Sequence, residues 1–582
     1  MTSDGCTCCA RYRRLMWLAV VVALIVGVPF LAKPFHIDDT VVLRIAQQIT
    51  HHPLRPFAAS MNWFGDEKSI FTQTTNPPFV SYYLAPLVAA FGFSEIPLHV
   101  AMLVFLVALA AATAALSRRF TDGLVWPVLF VMLSPAVVVS SNVMRDVPLA
   151  ALSAVAAALF IGGVDRRRWS LLLAGSLVMG LAMLTKYSGV VMLPALALYA
   201  ILQRRARDTI WLVAGLALFG VWALDNRLVH GQVHLVYLVT HPTHNFTWID
   251  RLYPTLVIVG ACLFMAPATL ADAARRRRLW LVAGVVVGGG LALLGGRLHN
   301  GPVSWQYALW VTTGAALVFA VVIPGLAAVP AALGYQWGQS PMRRSAAACA
   351  ALNGDGPRRA QSVTARADAT DTLFLGLWAA GTLAFSIFFT PFQAVRHVIP
   401  AIAPLALLAV RLLRLARSRS RWMTGLLTAL VVVQAVIAFA VAAADYEYAA
   451  TYRDFARVAR RTLSRPGREV WFMGSWGWQR HALSAGLTLL AEHGHRPRPG
   501  DLVIIPDRVY KGPMPEGLKL TEIEEKTYRG RIAIHTMDSS VGASFYSVDP
   551  GRVPYAFTRE RTLEVFSVFR VSEPARPSPA AR

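Results

Sequence analysis

The chain has 582 residues, 55% of them hydrophobic and 15% charged, with a mean hydropathy of +0.49. That composition excludes a string of soluble domains and describes a polytopic membrane protein. Lysine and arginine outnumber aspartate and glutamate by 56 to 32, for a net charge of +24, but the basic residues punctuate apolar runs and read as topology signals, so no nucleic-acid partner is expected. None of the five cysteines (Cys6, Cys8, Cys9, Cys262, Cys349) lies beyond residue 349, so no disulfide framework supports the C-terminal part. The Cys6, Cys8 and Cys9 cluster reads as reduced, inert thiols in preference to a lipidation or metal site.

A helix needs about 20 apolar residues to cross the hydrocarbon layer. Thirteen segments qualify, near 15–32, 96–117, 123–143, 147–164, 170–185, 187–203, 209–228, 253–271, 279–296, 309–333, 371–390, 397–413 and 423–444. The first has the flank and core of a signal peptide but no convincing cleavage site, and reads as a retained anchor preceded by a cytoplasmic N-terminus, 1–14. The run 79–91 is short and interrupted by Pro86, and is assigned to a helix at the outer interface. With it left out, the N-terminal arginines, Arg118/Arg119, Arg166 to Arg168, Arg204/Arg205/Arg207, Arg275 to Arg278, the linker 334–370 and Arg414 to Arg421 share the cytoplasmic side. The long loop 33–95, the turn around Asp146, the loops 229–251 and 297–308, the turn 391–396 and the tail 445–582 then face outward.

The first outer loop opens with HIDDTVVLRIAQQI, residues 36–49, in which Ile37, Val41, Ile45 and Ile49 form one apolar helix face. Asp38 and Asp39 stand at the first turn of that helix, where the dipole favours carboxylates and where a capping role is an equal reading. TNPPFVSYY, 75–83, brings Asn76, Tyr82 and Tyr83 toward the membrane surface, and MRDVPLAAL, 144–152, sets Asp146 at an outer span boundary. The loops 229–251 and 297–308 carry His230, His234, His241, His244 and His299, with Trp248, Trp305 and Tyr307 able to stack on a sugar. The spacing His241-Pro-Thr-His244 is able to hold a metal, but with no tight set of three or four ligands the histidines read as ordinary loop residues. The tail is polar, with strand-like runs at 469–475, 501–506, 531–536 and 562–571 and a helical stretch at 479–493, which describes a small α/β domain. GSWGWQRHA after the first of these strands lacks GxGxxG spacing and reads as a packing turn. The loop 334–370 reads as a flexible linker.

The order of the acidic pair Asp38-Asp39, the double proline of Asn76-Pro77-Pro78, the outer Asp146-Val147-Pro148-Leu149 and RHVIPAIAP at 396–404 resembles the membrane-embedded GT-C glycosyltransferases. The likeness is to the branch of protein O-mannosyltransferases and lipid A aminoarabinose transferases, and it covers about residues 15–445. Two positions depart from the pattern: the second acid, commonly Glu, is Asp39, and the residue before the double proline, often Lys, is Asn76. The resemblance implies a GT-C-like transmembrane domain over 15–444, with its catalytic loop at 33–95, and an extracytoplasmic domain over 445–582. It implies a multi-pass protein of the cytoplasmic membrane that moves a hexosyl or pentosyl group from a polyprenyl-phosphate sugar donor to a lipid, protein or glycan acceptor at the outer face. Asp38, Asp39 and Asp146 are then the catalytic acids. Arg396, His397, Lys186 and Arg297 are the groups for the donor phosphate, Asn76, Tyr82 and Tyr83 are substrate-binding, and a divalent cation on Asp38 and Asp146 is left open. The alternative class is a transporter or flippase of lipid-linked sugars, which usually places ionisable residues at the bilayer midplane; here Asp146, Lys186 and Asp225 fall at span ends.

Overall fold

The computed structural model describes residues 3–65, 67–241, 246–276, 278–298, 304–333, 357–416, 420–490 and 496–573, with the backbone alone described at 3–9, 275–276, 295–298 and 357–367. Helices dominate up to Leu463, and a five-stranded sheet follows. Among the described residues eight helices are long and apolar enough to cross a membrane, and nine if the bent pair Trp248–Cys262 and Ala266–Ala274 counts as one span. Three further expected segments are shorter apolar helices, Trp169–Thr185, Tyr187–Leu202 and Arg278–Leu294. The protein is a multi-pass α-helical membrane protein.

Two segments expected to be continuous are broken. The stretch 123–143 divides into Trp126–Met132 and Pro135–Val139, and the pair Trp248–Cys262 and Ala266–Ala274 is bent by 97°. Pro135 lacks the N–H a continuous helix would use. The backbone groups exposed by the breaks need partners, because lipid offers none. Ser134 Oγ donates to Cys262 O at 2.7 Å, Gln434 Nε2 donates to Phe130 O at 2.9 Å, and Phe264 N donates to Gln434 Oε1 at 3.0 Å. Gln434, fully buried within the helix Arg421–Leu463, thus serves both breaks with one amide.

Charged residues collect at two opposite regions of the helical part. In one, Arg119 reaches Asp165 at 2.6 Å and Asp371 at 2.7 Å, while the buried Arg411 reaches Asp368 at 2.6 Å and Phe120 O at 2.8 Å. These pairs join basic clusters that the charge count assigns to one side of the membrane. In the other, Lys33 at the end of the first helix meets Asp445 at 2.5 Å and Asn142 at 3.0 Å. Asp445 in turn accepts from Tyr546 at 2.8 Å and Thr536 at 2.8 Å. This buried network locks the loop after the first helix, the turn before Asp146 and the C-terminal domain together.

Three boundaries differ from expectation. Of the linker 334–370, residues 334–356 lie outside the described residues, but 357–370 are the opening of the helix Pro357–Phe389, whose Asp368 and Asp371 are held by Arg411 and Arg119. The boundary at 445 falls inside the helix Arg421–Leu463, which continues because Tyr448, Tyr452 and Phe455 pack on the sheet. The sheet runs in the order Thr488–Leu489, Val470–Phe472, Leu502–Pro506, Thr562–Glu573, Lys519–Arg529, the first three parallel and the last two antiparallel to their neighbours. Its edge strand Lys519–Arg529, mostly exposed and rich in Lys and Glu, was not expected, because such an edge lacks the apolar pattern that marks a strand. The expected strand at 531–536 shrinks to Ile534–His535, and the expected helix at 479–493 is Trp476–Ser484.

Candidate active site

The first helix ends with the 3-10 turn Val28–Phe30, and the chain enters the helix Asp39–His51 through Ile37, at φ +41°. A β-branched residue in the left-handed region is strained, and strain persists only where surroundings over-determine it. Here Asp39 Oδ2 accepts from His36 N at 2.8 Å, and His481 Nε2 of the C-terminal domain lies 3.1 Å from Phe35 O. Ile37, Val41, Ile45 and Ile49 are buried as one face, as their spacing predicts. The two acids therefore separate. Asp38 stands at the N-cap position without a side-chain capping bond, whereas Asp39 is 1% exposed and folded back on its own loop.

Asp38 Oδ2 forms an ion pair with Arg396 Nη1 at 2.6 Å. Arg396 also donates to Tyr546 O at 3.1 Å and lies over the Phe392 ring at 5.4 Å. Asp146, the first residue of the helix Asp146–Arg166, pairs with Lys186 Nζ at 2.7 Å. Arg145 sits between the pairs, interacting electrostatically with Asp38, Asp146 and Arg396, and its Nε and Nη2 are buried without hydrogen-bond partners. Burial holds its guanidinium down to about 10, against the pull of the two aspartates. Lys186 feels Asp38 and Arg396 as well as Asp146, and His397 feels Lys186 and Arg396. Three cations and two acids, drawn from four separate segments, thus form one cluster. Arg145 went unrecognised in the sequence, although its position next to Asp146 at a span boundary was a readable signal.

The other expected site residues lie elsewhere. Tyr82 OH donates to Pro53 O at 2.6 Å and Tyr83 OH to Ala101 O at 3.0 Å, so both hydroxyls serve packing of the interfacial helix Phe79–Phe91 and neither contacts the acids. Asn76 bonds its neighbour Thr75 Oγ1 at 2.9 Å. Arg297 belongs to the helix Arg278–Leu298, and its side chain lies outside what the structure describes, as do His244 and His299. His234 is fully buried, 2.7 Å from Tyr187 OH and 3.0 Å from Thr74 O, a tie between loops. For the cation left open, Asp38 and Asp146 each already face a cationic side chain, and among the described residues no three His, Cys, Asp or Glu gather into a ligand set.

Burial pushes the Asp39 carboxyl up to about 7, the His36 N–H bond opposing it, and pulls His36 down to about 4. The folded state therefore keeps the Asp39 proton over a window, from near pH 4 to about 7, in which the unfolded chain has released it. More protons bound when folded means that stability falls as pH rises through that window, by at most about 1.4 kcal/mol per pH unit. Asp39→Asn retains an acceptor for His36 N and removes this loss. Its melting-temperature advantage over the parent is expected to widen between pH 5 and 8 in detergent; a constant or shrinking gap excludes a buried, protonated Asp39.

A family model described as dolichyl-phosphate-mannose-protein mannosyltransferase matches residues 75–225, the stretch that holds Asn76, Arg145, Asp146 and Lys186. A sequence search of the curated proteins finds no match. Among solved structures, ArnT from Cupriavidus metallidurans in the apo state aligns at 17% identity over 84% of this chain and 92% of that one, with a TM-score of 0.37. The same protein bound to undecaprenyl phosphate aligns at 18% identity, with the same coverage and score. The archaeal oligosaccharyltransferase AglB from Archaeoglobus fulgidus, in complex with an inhibitory peptide and a dolichol-phosphate, aligns at 12% identity over 82% of this chain and 64% of that one, with a TM-score of 0.42. Over residues 75–225 the sequence is thus similar to a family of polyprenyl-phosphate-dependent mannosyltransferases.

Proposed function

We propose that the protein transfers a sugar from a polyprenyl-phosphate carrier to a hydroxyl acceptor at the extracytoplasmic face of the cytoplasmic membrane, with Asp38 as general base. The observation that carries this is the cluster of Asp38 and Asp146 with Arg145, Lys186 and Arg396. In the reaction the acceptor oxygen attacks the anomeric carbon, the bond from that carbon to the phosphate oxygen breaks, and the acceptor proton passes to Asp38. The departing polyprenyl phosphate gains negative charge, and a preformed group of cations stabilises such charge at the moment it develops. Arg145 suits this role because its buried Nε and Nη2 have no partner in the resting protein, and an unpaired buried donor gains most when an anion arrives. Asp146 orients Lys186, and His397 follows Arg396 in the chain. The carriers bound by ArnT and AglB, undecaprenyl phosphate and dolichol-phosphate, are of the chemical class proposed here.

Membranes containing the protein, incubated with a panel of radiolabelled polyprenyl-phosphate sugars, are expected to move label into a lipid, protein or glycan fraction. Label that crosses the bilayer still attached to its carrier identifies a flippase and rejects the transfer reading. The outward orientation has its own check. In a background freed of native cysteines, a cysteine at position 240 is expected to label with an impermeant thiol reagent in intact cells and one at 207 to resist it. The reverse pattern places Asp38 on the inner side and removes the proposed site from the outer face.

A further inference from the structure

A cleft of about 890 Å³ separates the first outer loop from the C-terminal domain. Its floor is one face of the helix Asp39–His51, with Thr40, Leu43, Arg44 and Gln47 at i, i+3, i+4 and i+7, so it begins within one turn of Asp38. One wall is the hairpin of Ser60–Asn62 and Glu67–Ser69, and the other is the helix Trp476–Ser484. Trp63 of the first wall and Trp476 of the second face each other at 6.3 Å between ring centroids, inclined by 47°. Neither reading of the acidic site uses this space, yet its volume lies in the range of ligand-binding pockets.

Two observations show that the cleft is a built one. Trp476 has φ +64°, a conformation costly for a bulky residue and found where surroundings hold a side chain for function. Its indole Nε1 is also buried without a hydrogen-bond partner, leaving a donor to be satisfied.

The lining chemistry narrows the occupant. The arginines are already engaged: Arg44 donates to Gln47 Oε1 at 3.1 Å and Ser60 O at 3.4 Å, and Arg480 lies over the Phe93 ring at 4.0 Å. Glu67 and Lys68 add one charge of each sign, and each already has a partner, Glu67 accepting from Ser60 Oγ at 3.0 Å. The polar groups are too many for an acyl chain. Gln479 offers a donor and an acceptor and Gln47 its amide donor, groups that pair with hydroxyls, while the indole faces accept the C–H faces of a sugar ring.

We infer that this cleft binds a neutral saccharide chain, the acceptor glycan, and holds it beside Asp38 through residues remote from the reacting hydroxyl. The inference rests on the transfer reading for its link to Asp38, but the binding itself is measurable without transfer. Remote contacts of this kind hold the acceptor in place for attack.

The test is ligand-observed saturation-transfer NMR on the full-length protein in detergent, titrated with neutral linear hexasaccharides of mannose, glucose and arabinose. At least one is expected to bind with a Kd on the order of 1 mM or tighter. Trp63→Ala and Trp476→Ala are each expected to weaken it at least about tenfold, which is about 1.4 kcal/mol. Trp63→Phe, which keeps an aromatic face, is expected to retain most of the binding and so separates a lost contact from a misfolded wall. Absence of binding by every hexasaccharide, or binding indifferent to both tryptophans, overturns the inference, as does Trp476-dependent binding of an unstructured peptide in place of the sugars. If membranes still transfer label from the carrier while no saccharide binds, the cleft assignment alone falls. If saccharides bind and no carrier sugar is transferred, the cleft stands and the transfer reading falls.

Discussion

Asp38→Asn is expected to insert and fold as the parent does, yet transfer sugar at least about a hundredfold more slowly, the usual contribution of a general base. The substitution is informative because of what it leaves in place. Asparagine has nearly the same shape and is as good a helix N-terminal residue as aspartate. Asp38 makes no side-chain capping bond to begin with, so helix stability has little to lose. What disappears is the carboxylate that faces Arg396, the group proposed to take the acceptor's proton. Asp39→Asn, by contrast, alters a buried acid already occupied by His36 N, and is expected to reduce transfer much less. The measurement is transfer of radiolabelled sugar per mole of membrane-inserted protein, with insertion checked by yield and elution profile in detergent. Near-normal transfer by Asp38→Asn with a dead Asp39→Asn moves the base by one residue. Full activity in both leaves the acidic pair without a catalytic role.

Arg396→Ala is expected to lower kcat/KM for the lipid-phosphate donor by roughly ten- to a hundredfold, the loss of about 1.5–3 kcal/mol for a hydrogen bond to a charged group. A guanidinium offers a planar pair of donors to a phosphate, so Arg396→Lys, with one compact charge, is expected to rescue only part of the loss. Arg396 also neutralises Asp38, and its removal leaves that acid without its partner. The double variant with Asp38→Asn separates the two effects, because contacting residues that act through one another are non-additive. Donor affinity and turnover that remain unchanged in folded Arg396→Ala would falsify its assignment to the leaving phosphate.

Local chemistry determined much of this protein before any folding was considered. Apolar length and the distribution of arginine marked the helical membrane class, because hydrocarbon thickness and charge placement act on each segment independently. The four-residue spacing of Ile37, Val41, Ile45 and Ile49 announced a buried helix face, and Asp38 was legible as the acid at its start. Pairings between distant segments were not legible, since nothing local to Asp38 names Arg396 and nothing local to Lys33 names Asp445. Only the tertiary structure decided that Asp39 turns inward while its neighbour turns to the cations, because a strained Ile37 and the docking of His481 on Phe35 set that direction. It also decided that Gln434 repairs two broken helices and that Arg145 keeps two buried donors, Nε and Nη2, without hydrogen-bond partners beside two acids. Hydropathy is additive along the chain and can be read residue by residue; the partner of a buried polar atom depends on which segments meet in space.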